Sequence, residues 1–300
     1  MWGREKRIEM ISDRKIAAVY FGLMQSGYEY HAAGKSSEDV RQWESFRDMP
    51  VSYDTAFFRG ARQTTTGIYP YAARAAALEM AAFYVDEENE AFINEEAYRS
   101  KLAASGLIKD REQEFFAWVK GFPKSMHSVM HCQGFARYMQ WEENWLKHQI
   151  RLRKHEIQKR DEVVSYFMKR QDTAVKKVFL ALCPLKCTFA SDYVVENGAL
   201  YAIAGVLRLD ETMHEFYGHL LQPFVFKYGD EIAALRNLHR LKVEDSFFGD
   251  RKEIGRLNAF KEYAVRELTA KISIDQYKLD LDKFILSLIK PLADTLGPIG

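Results

Sequence analysis

Residues Asp210–Tyr228 read DETMHEFYGHLLQPFVFKY, and the run His214-Glu215-Phe216-Tyr217-Gly218-His219 decides how the rest of the chain is read. Two histidines offer imidazole nitrogens to a zinc ion. A glutamate directly after the first, Glu215, can reach a metal-bound water whose pKa the metal has lowered. In the helix H-E-x-x-H the histidines are four residues apart, about 40° from eclipsed at roughly 100° per residue. Here they are five apart, which turns the second imidazole about 140° from the first on a regular helix. A shared metal therefore requires the ladder to absorb one residue. A π-bulge does this, and Gly218, which has no β-carbon, is the permissive place for it.

Working outward, Asp210 is the expected N-cap, with Glu211 adding negative charge at the positive end of the helix. Pro223 would end or kink the helix, while Phe224, Val225 and Phe226 predict that the segment stays buried beyond it. Catalytic zinc usually takes three protein ligands and an open position. The helix from about Arg256 to Ser273 is the best source of the third. Its carboxylates Glu262 and Glu267 are about 500° apart and cannot both face one metal. Leu257, Phe260, Ala264, Leu268 and Ile272 mark its core stripe, and Arg266 at i+4 can orient Glu262, which is the choice. Glu267 is the alternative, and Glu244 or Asp245 a more distant one.

Upstream, residues 13–30 carry Ile16, Val19, Tyr20, Leu23 and Met24 at helical spacing. Ser36-Ser37-Glu38-Asp39 opens a helix with Val40, Trp43 and Phe46 on one side, ended by Pro50. Residues 54–71 read as a loop or irregular stretch, Ala72 to Val85 as helix, and Asp86 to Glu90 as a solvated connection. Helices follow at about Glu95–Ala104 and Glu112–Phe122, then one long helix or two between Ser125 and Lys169. His127 and His131 share a helical face there and form a second possible metal pair, although Ser128 stands where a base would be needed. The plainer reading is that they cap or pack. After Asp172 the pattern changes to short strands at 175–183, 186–190 and 200–206, punctuated by Pro184, Asn197 and Gly198.

With 300 residues and 47% hydrophobic content the chain can bury a sizeable core. A formal charge of +1 offers no field to hold nucleic acid, and no apolar run approaches the ~20 residues that span a bilayer. Charges run through the segment where a signal peptide needs its apolar core, so the chain as written reads as cytoplasmic, and as secreted or periplasmic if it is a trimmed form. Cys132, Cys183 and Cys187 are too few and odd in number for a disulfide framework. The expectation is a single α+β unit, mainly helical, with a helical region at 1–171 and a catalytic core at 172–300.

The string HEFYGH resembles the H-E-x-x-G-H helix of dipeptidyl peptidase III, a gluzincin-type zinc metallopeptidase. Met213-HEFYGH with Gln222-Pro223-Phe224 and Glu262-Tyr263-x-Val265-Arg266 also resembles a poorly characterised bacterial group of zincin-like proteins. The matched positions cover about residues 195–272. The E-E-x-x-x-D-like pattern of the later helix is not kept, since Lys261 precedes Glu262 and Arg266 follows. The resemblance implies a zincin-like core: a small sheet whose edge can pair with an extended peptide, the active-site helix, then the glutamate helix. Leu200 to Val206 is the strand expected nearest the metal helix. It implies Zn²⁺ held by His214, His219 and Glu262, with Glu215 as the base and a peptide or protein as substrate. Tyr193, Tyr217, Tyr263, His239 and Arg266 are candidates for stabilising an oxyanion. An inactive zincin-like protein that binds a peptide or protein partner, or a helical binding protein with structural zinc, is the alternative.

Overall fold

The computed structural model describes residues 7–27, 36–60, 70–105, 112–170, 175–186, 191–205, 209–235, 252–272 and 276–294, which fall into two compact units. One comprises Glu9–Lys154 and Lys177–Arg208; the other comprises Met1–Ile8, His155–Lys176 and Leu209–Gly300. The boundary is therefore not a single cut at 171/172: the strands cluster with the N-terminal helices, and the HEFYGH helix belongs to the other unit. The chain is mainly helical with a small sheet, as expected. No helix among the described residues is long and apolar enough to cross a membrane.

The first unit holds β1 (Ile8–Ile11) from Glu9 onward, α1 (Arg14–Gln25), α2 (Ser37–Arg47), α3 (Ala56–Gly60) and α4 (Pro70–Ala82). The hairpin strands β2 (Val85–Asp86) and β3 (Ala91–Phe92) follow, then α5 (Glu95–Ser105), α6 (Glu112–Val119), α7 (Phe122–Met130) and α8 (Gln133–Leu152). It closes with β4 (Lys177–Leu182), β5 (Ser191–Glu196) and β6 (Ala199–Ala204). Asp13 caps α1 by accepting from the amides of Lys15 and Ile16, and Ser36 caps α2 by accepting from Asp39, so two starts follow ordinary capping chemistry. The Ser125–Lys169 stretch is three helices, the third being α9 (Lys154–Arg170).

The sheet order is β1-β4-β6-β5, with β4 parallel to β6 and β5 antiparallel to it. Asn197 and Gly198 join β5 to β6 with φ of +50° and +74°, the left-handed pair that two-residue hairpins prefer. β6, the strand expected beside the metal helix, thus lies inside the sheet with both edges paired. The outer strands are β1 and β5, and Lys101 of α5 donates to the Val195 carbonyl of β5 at 2.5 Å. β1 lies in a segment read for its charges alone. Ile8 and Met10 are buried while Glu9 points out, the period of a half-buried strand. Of the expected strand at 186–190, Lys186 lies in a bend and 187–190 lie outside the described residues; β5, at Ser191–Glu196, was not expected. The apolar core joins α1, α4, α7 and α8 to Ala181, Cys183, Val194 and Ile203 around the sheet.

The second unit contains α9, α10 (Leu209–Lys227), α11 (Gly229–Ala234), α12 (Lys252–Lys271) and α13 (Leu281–Asp294). α10 begins at Leu209, so Asp210 is inside the helix rather than its cap, and Pro223 is accommodated without ending it. Phe226, expected to be buried, is 63% exposed.

Candidate functional site

α10 is an unbroken α-helix. The bulge expected between His214 and His219 is absent. Its buried side chains are Met213, Phe216, Tyr217, Leu220, Leu221 and Val225. His214, Glu215, Gly218, His219 and Gln222 are all half-buried, and at helical spacing they span an arc of about 140°. The motif is thus a half-buried polar stripe beside the buried apolar side chains of Met213 to Val225.

α12 packs against this helix, turning Phe260, Ala264, Val265 and Leu268 inward. Lys261 donates to Gln222 Oε1 at 3.1 Å, and Glu262 Oε2 lies 3.0 Å from His214 Nε2. Adjacent residues of α12 therefore reach points one turn to either side of Gly218. A β-carbon built at Gly218 would stand 4.0 Å from Val265 Cγ2. That is an ordinary van der Waals distance, so the packing of α12 does not by itself require a glycine at 218.

His214 and Glu262, 48 residues apart in sequence, are the two predicted ligands that the fold brings together. The hydrogen bond to Glu262 raises the His214 pKa; burial opposes this, the charges of Glu262 and Glu215 add to it, and Arg266 works against it. Burial pushes Glu262 up, but the His214 bond and the charges of His214, Lys261 and Arg266 outweigh it and keep the carboxylate below its usual range. Both shifts favour the ion-paired form, an imidazolium donating to a carboxylate. His219 does not join them. Burial first, and then the charge of Lys261, lower its pKa and so favour the neutral imidazole. Glu267 has no contact with His214 comparable to that of Glu262, and its charge acts on Tyr263. Glu244, Asp245 and His239 lie outside the described residues.

The donor chemistry fits a zinc ion, and the geometry fits for two ligands of three. Among the described residues no three His, Cys, Asp or Glu side chains converge closely enough to hold a metal as they stand. With the helix regular, His219 is turned about 140° from His214. The covalent structure removes one ladder bond just beyond this point, on the C-terminal side of His219. Pro223 has no N–H to give to the His219 carbonyl four residues before it, and Gly218 lies on the other side.

Of the proposed oxyanion groups, Tyr217 is buried, Tyr263 is half-buried beside Phe260, and Tyr193 lies on β5 in the other unit. Arg266 is the one whose charge acts on both His214 and Glu262. Lys261 was legible in the sequence only as a departure from an acidic pattern, yet it touches the stripe at Gln222 and acts on His219. Its position directly before Glu262 was the available signal. Comparison of the chain with known protein families, characterised proteins and solved structures finds no match.

Proposed function

We propose that the chain is a zinc-dependent hydrolase that cleaves peptide bonds, with a zincin-like core built on α10 and α12. The observation that carries this reading is the 3.0 Å approach of Glu262 to His214, two residues assigned as ligands on separate helices from motif and stripe alone. In this reading His214 and Glu262 would anchor the ion, and His219 would complete the set when the ladder between His214 and His219 takes in one residue beside Gly218. Zinc, when bound, lowers the pKa of a water and polarises a carbonyl. Glu215, on the same half-buried stripe, takes the proton of the attacking water and delivers it to the leaving amine. Arg266 supplies positive charge beside the pair.

A second reading, an inactive zincin-like protein that binds a peptide or protein, is favoured by the unbroken helix, which keeps His219 from the other two ligands. Glu215→Gln separates the two. In the hydrolase, zinc content is retained and peptidase activity on a mixed peptide library falls at least a hundredfold. Peptidase activity that persists in Glu215→Gln at the wild-type rate removes the mechanism, and a zinc-loaded wild type with no activity leaves the binding reading.

A further inference from the structure

α12 reaches the half-buried stripe of α10 at two places, through Glu262 at His214 and through Lys261 at Gln222. Gln222 follows His214 by eight residues, about 12 Å of helix. Gly218 lies midway between them and is itself half-buried. Among the described residues, a β-carbon there would meet only Val265 Cγ2, at 4.0 Å. Neither the contact with α12 nor the helical backbone asks for a glycine at this place, and alanine would favour the helix by about 1 kcal/mol. What glycine supplies is a gap in the line of side chains between the two contacts, where another backbone can approach closely.

Lys261 points the same way. Lys15, Lys101, Lys177 and Lys186 each face a carboxylate, on Glu87, Glu196, Glu9 and Glu79. The half-buried Lys261 ammonium instead donates to the neutral amide oxygen of Gln222 at 3.1 Å, while Glu262, its neighbour in sequence, is engaged by His214. An ammonium has three donors, so two are left for solvent or a bound group once Gln222 has accepted from one. Its charge is felt along the stripe, at His219 and at Glu262.

We infer that, on the hydrolase reading, on which this rests, the stripe between the two contacts is a substrate groove: an extended peptide lies over Gly218, and the Lys261 ammonium binds one of its carboxylates. Gln222 is the positioning residue that holds the ammonium there. With the bond to be cut at the His214 end, the roughly 12 Å between the contacts places that carboxylate about three to four residues along, at ~3.3–3.6 Å per extended residue. Lysine acts as a point charge and recognises a chain's own C-terminus and an acidic side chain alike.

The two sources are separated by mapping cleavage of two peptide libraries, one with free C-termini and one amidated, by mass spectrometry. Wild type is expected to cut where a carboxylate stands about three to four residues from the bond. Enrichment confined to the free-acid library assigns the C-terminus, and enrichment at Asp or Glu in the amidated library assigns the side chain. In Lys261→Met the preference in kcat/KM for the carboxylate peptide over its amide counterpart should fall about tenfold or more, the loss of one charge-assisted contact. Lys261→Arg should keep the preference, and Lys261→Glu should turn it toward basic residues. A wild type indifferent to carboxylates, or a preference that Lys261→Met leaves intact, overturns the inference. If wild type has no peptidase activity, the hydrolase reading falls, and the carboxylate subsite is tested by calorimetric titration of N-acetyl-tetraalanine and its amide into wild type and Lys261→Met. Tighter binding of the acid than of the amide, lost in Lys261→Met, upholds the subsite without the hydrolase; equal or absent binding of the two removes it as well.

Discussion

Gly218→Ala tests the observed form of α10 against the form the zinc reading requires. In the regular helix a β-carbon at 218 meets Val265 Cγ2 at 4.0 Å, an ordinary contact, so no neighbour has to move. Glycine inside a helix is about 0.8–1 kcal/mol less favourable than alanine. The substitution should therefore stabilise the metal-free protein by roughly 0.5–1 kcal/mol, which raises its thermal midpoint by about 1–4 °C. The assay is far-UV circular dichroism during thermal and urea unfolding with a chelator present. The same change makes the ladder more resistant to taking in an extra residue, so zinc affinity at His214 should fall while metal-free stability rises. A metal-free variant destabilised by more than about 1 kcal/mol would refute the reasoning, since residue 218 would then not occupy the helical conformation described.

Three further outcomes follow from the first unit. Burial raises the Glu142 pKa to about 7 against the hydrogen bonds it accepts from Ser12 and Tyr138, so the folded state holds this proton more tightly than the unfolded chain. Its contribution is present below the unfolded value near 4.5 and is lost as pH rises to about 7. Unfolding of Glu142→Gln and wild type should therefore shift relative to each other by about 3 kcal/mol in favour of glutamine between pH 4.5 and 8, and a constant difference would count against the assignment. Lys186 and Glu79 form an ion pair at 2.5 Å with exposures of 1% and 0%, and Tyr20 accepts from the ammonium at 3.0 Å. Lys186→Met, which strands the carboxylate, should cost about 3–5 kcal/mol in urea unfolding, and adding Glu79→Leu should restore much of it. Gly22→Ala is the reverse of Gly218→Ala: its β-carbon would fall 2.6 Å from Phe58 Cε2, a ring only 2% exposed, so a loss of about 1–3 kcal/mol is expected from chemical unfolding.

The helices were legible because their signals are local. Ser36 caps where the sequence places a cap, and the Phe260–Ala264–Leu268 stripe orients α12 so that Glu262 falls beside His214. Ladder geometry was not legible, because whether a helix bulges depends on what packs against it, and here α12 packs against a regular α10. Strand order is also non-local: β6 reads as an independent strand, yet β4 and β5 take both its edges. Buried charges escaped for a similar reason. Glu79 and Glu142 look solvent-facing in helical runs, and the partners that satisfy them, Lys186 and Ser12, are 107 and 130 residues away.

The central claim is that His214 and Glu262 hold a zinc ion. Diffraction from zinc-supplemented crystals, recorded on both sides of the zinc edge, tests it most directly. The account predicts an anomalous peak within bonding distance of His214 Nε2 and Glu262, with α10 opened by one residue near Gly218 so that His219 reaches the same ion. No peak at that position, with His214 still bonded to Glu262 and α10 still regular in supplemented crystals, would contradict it.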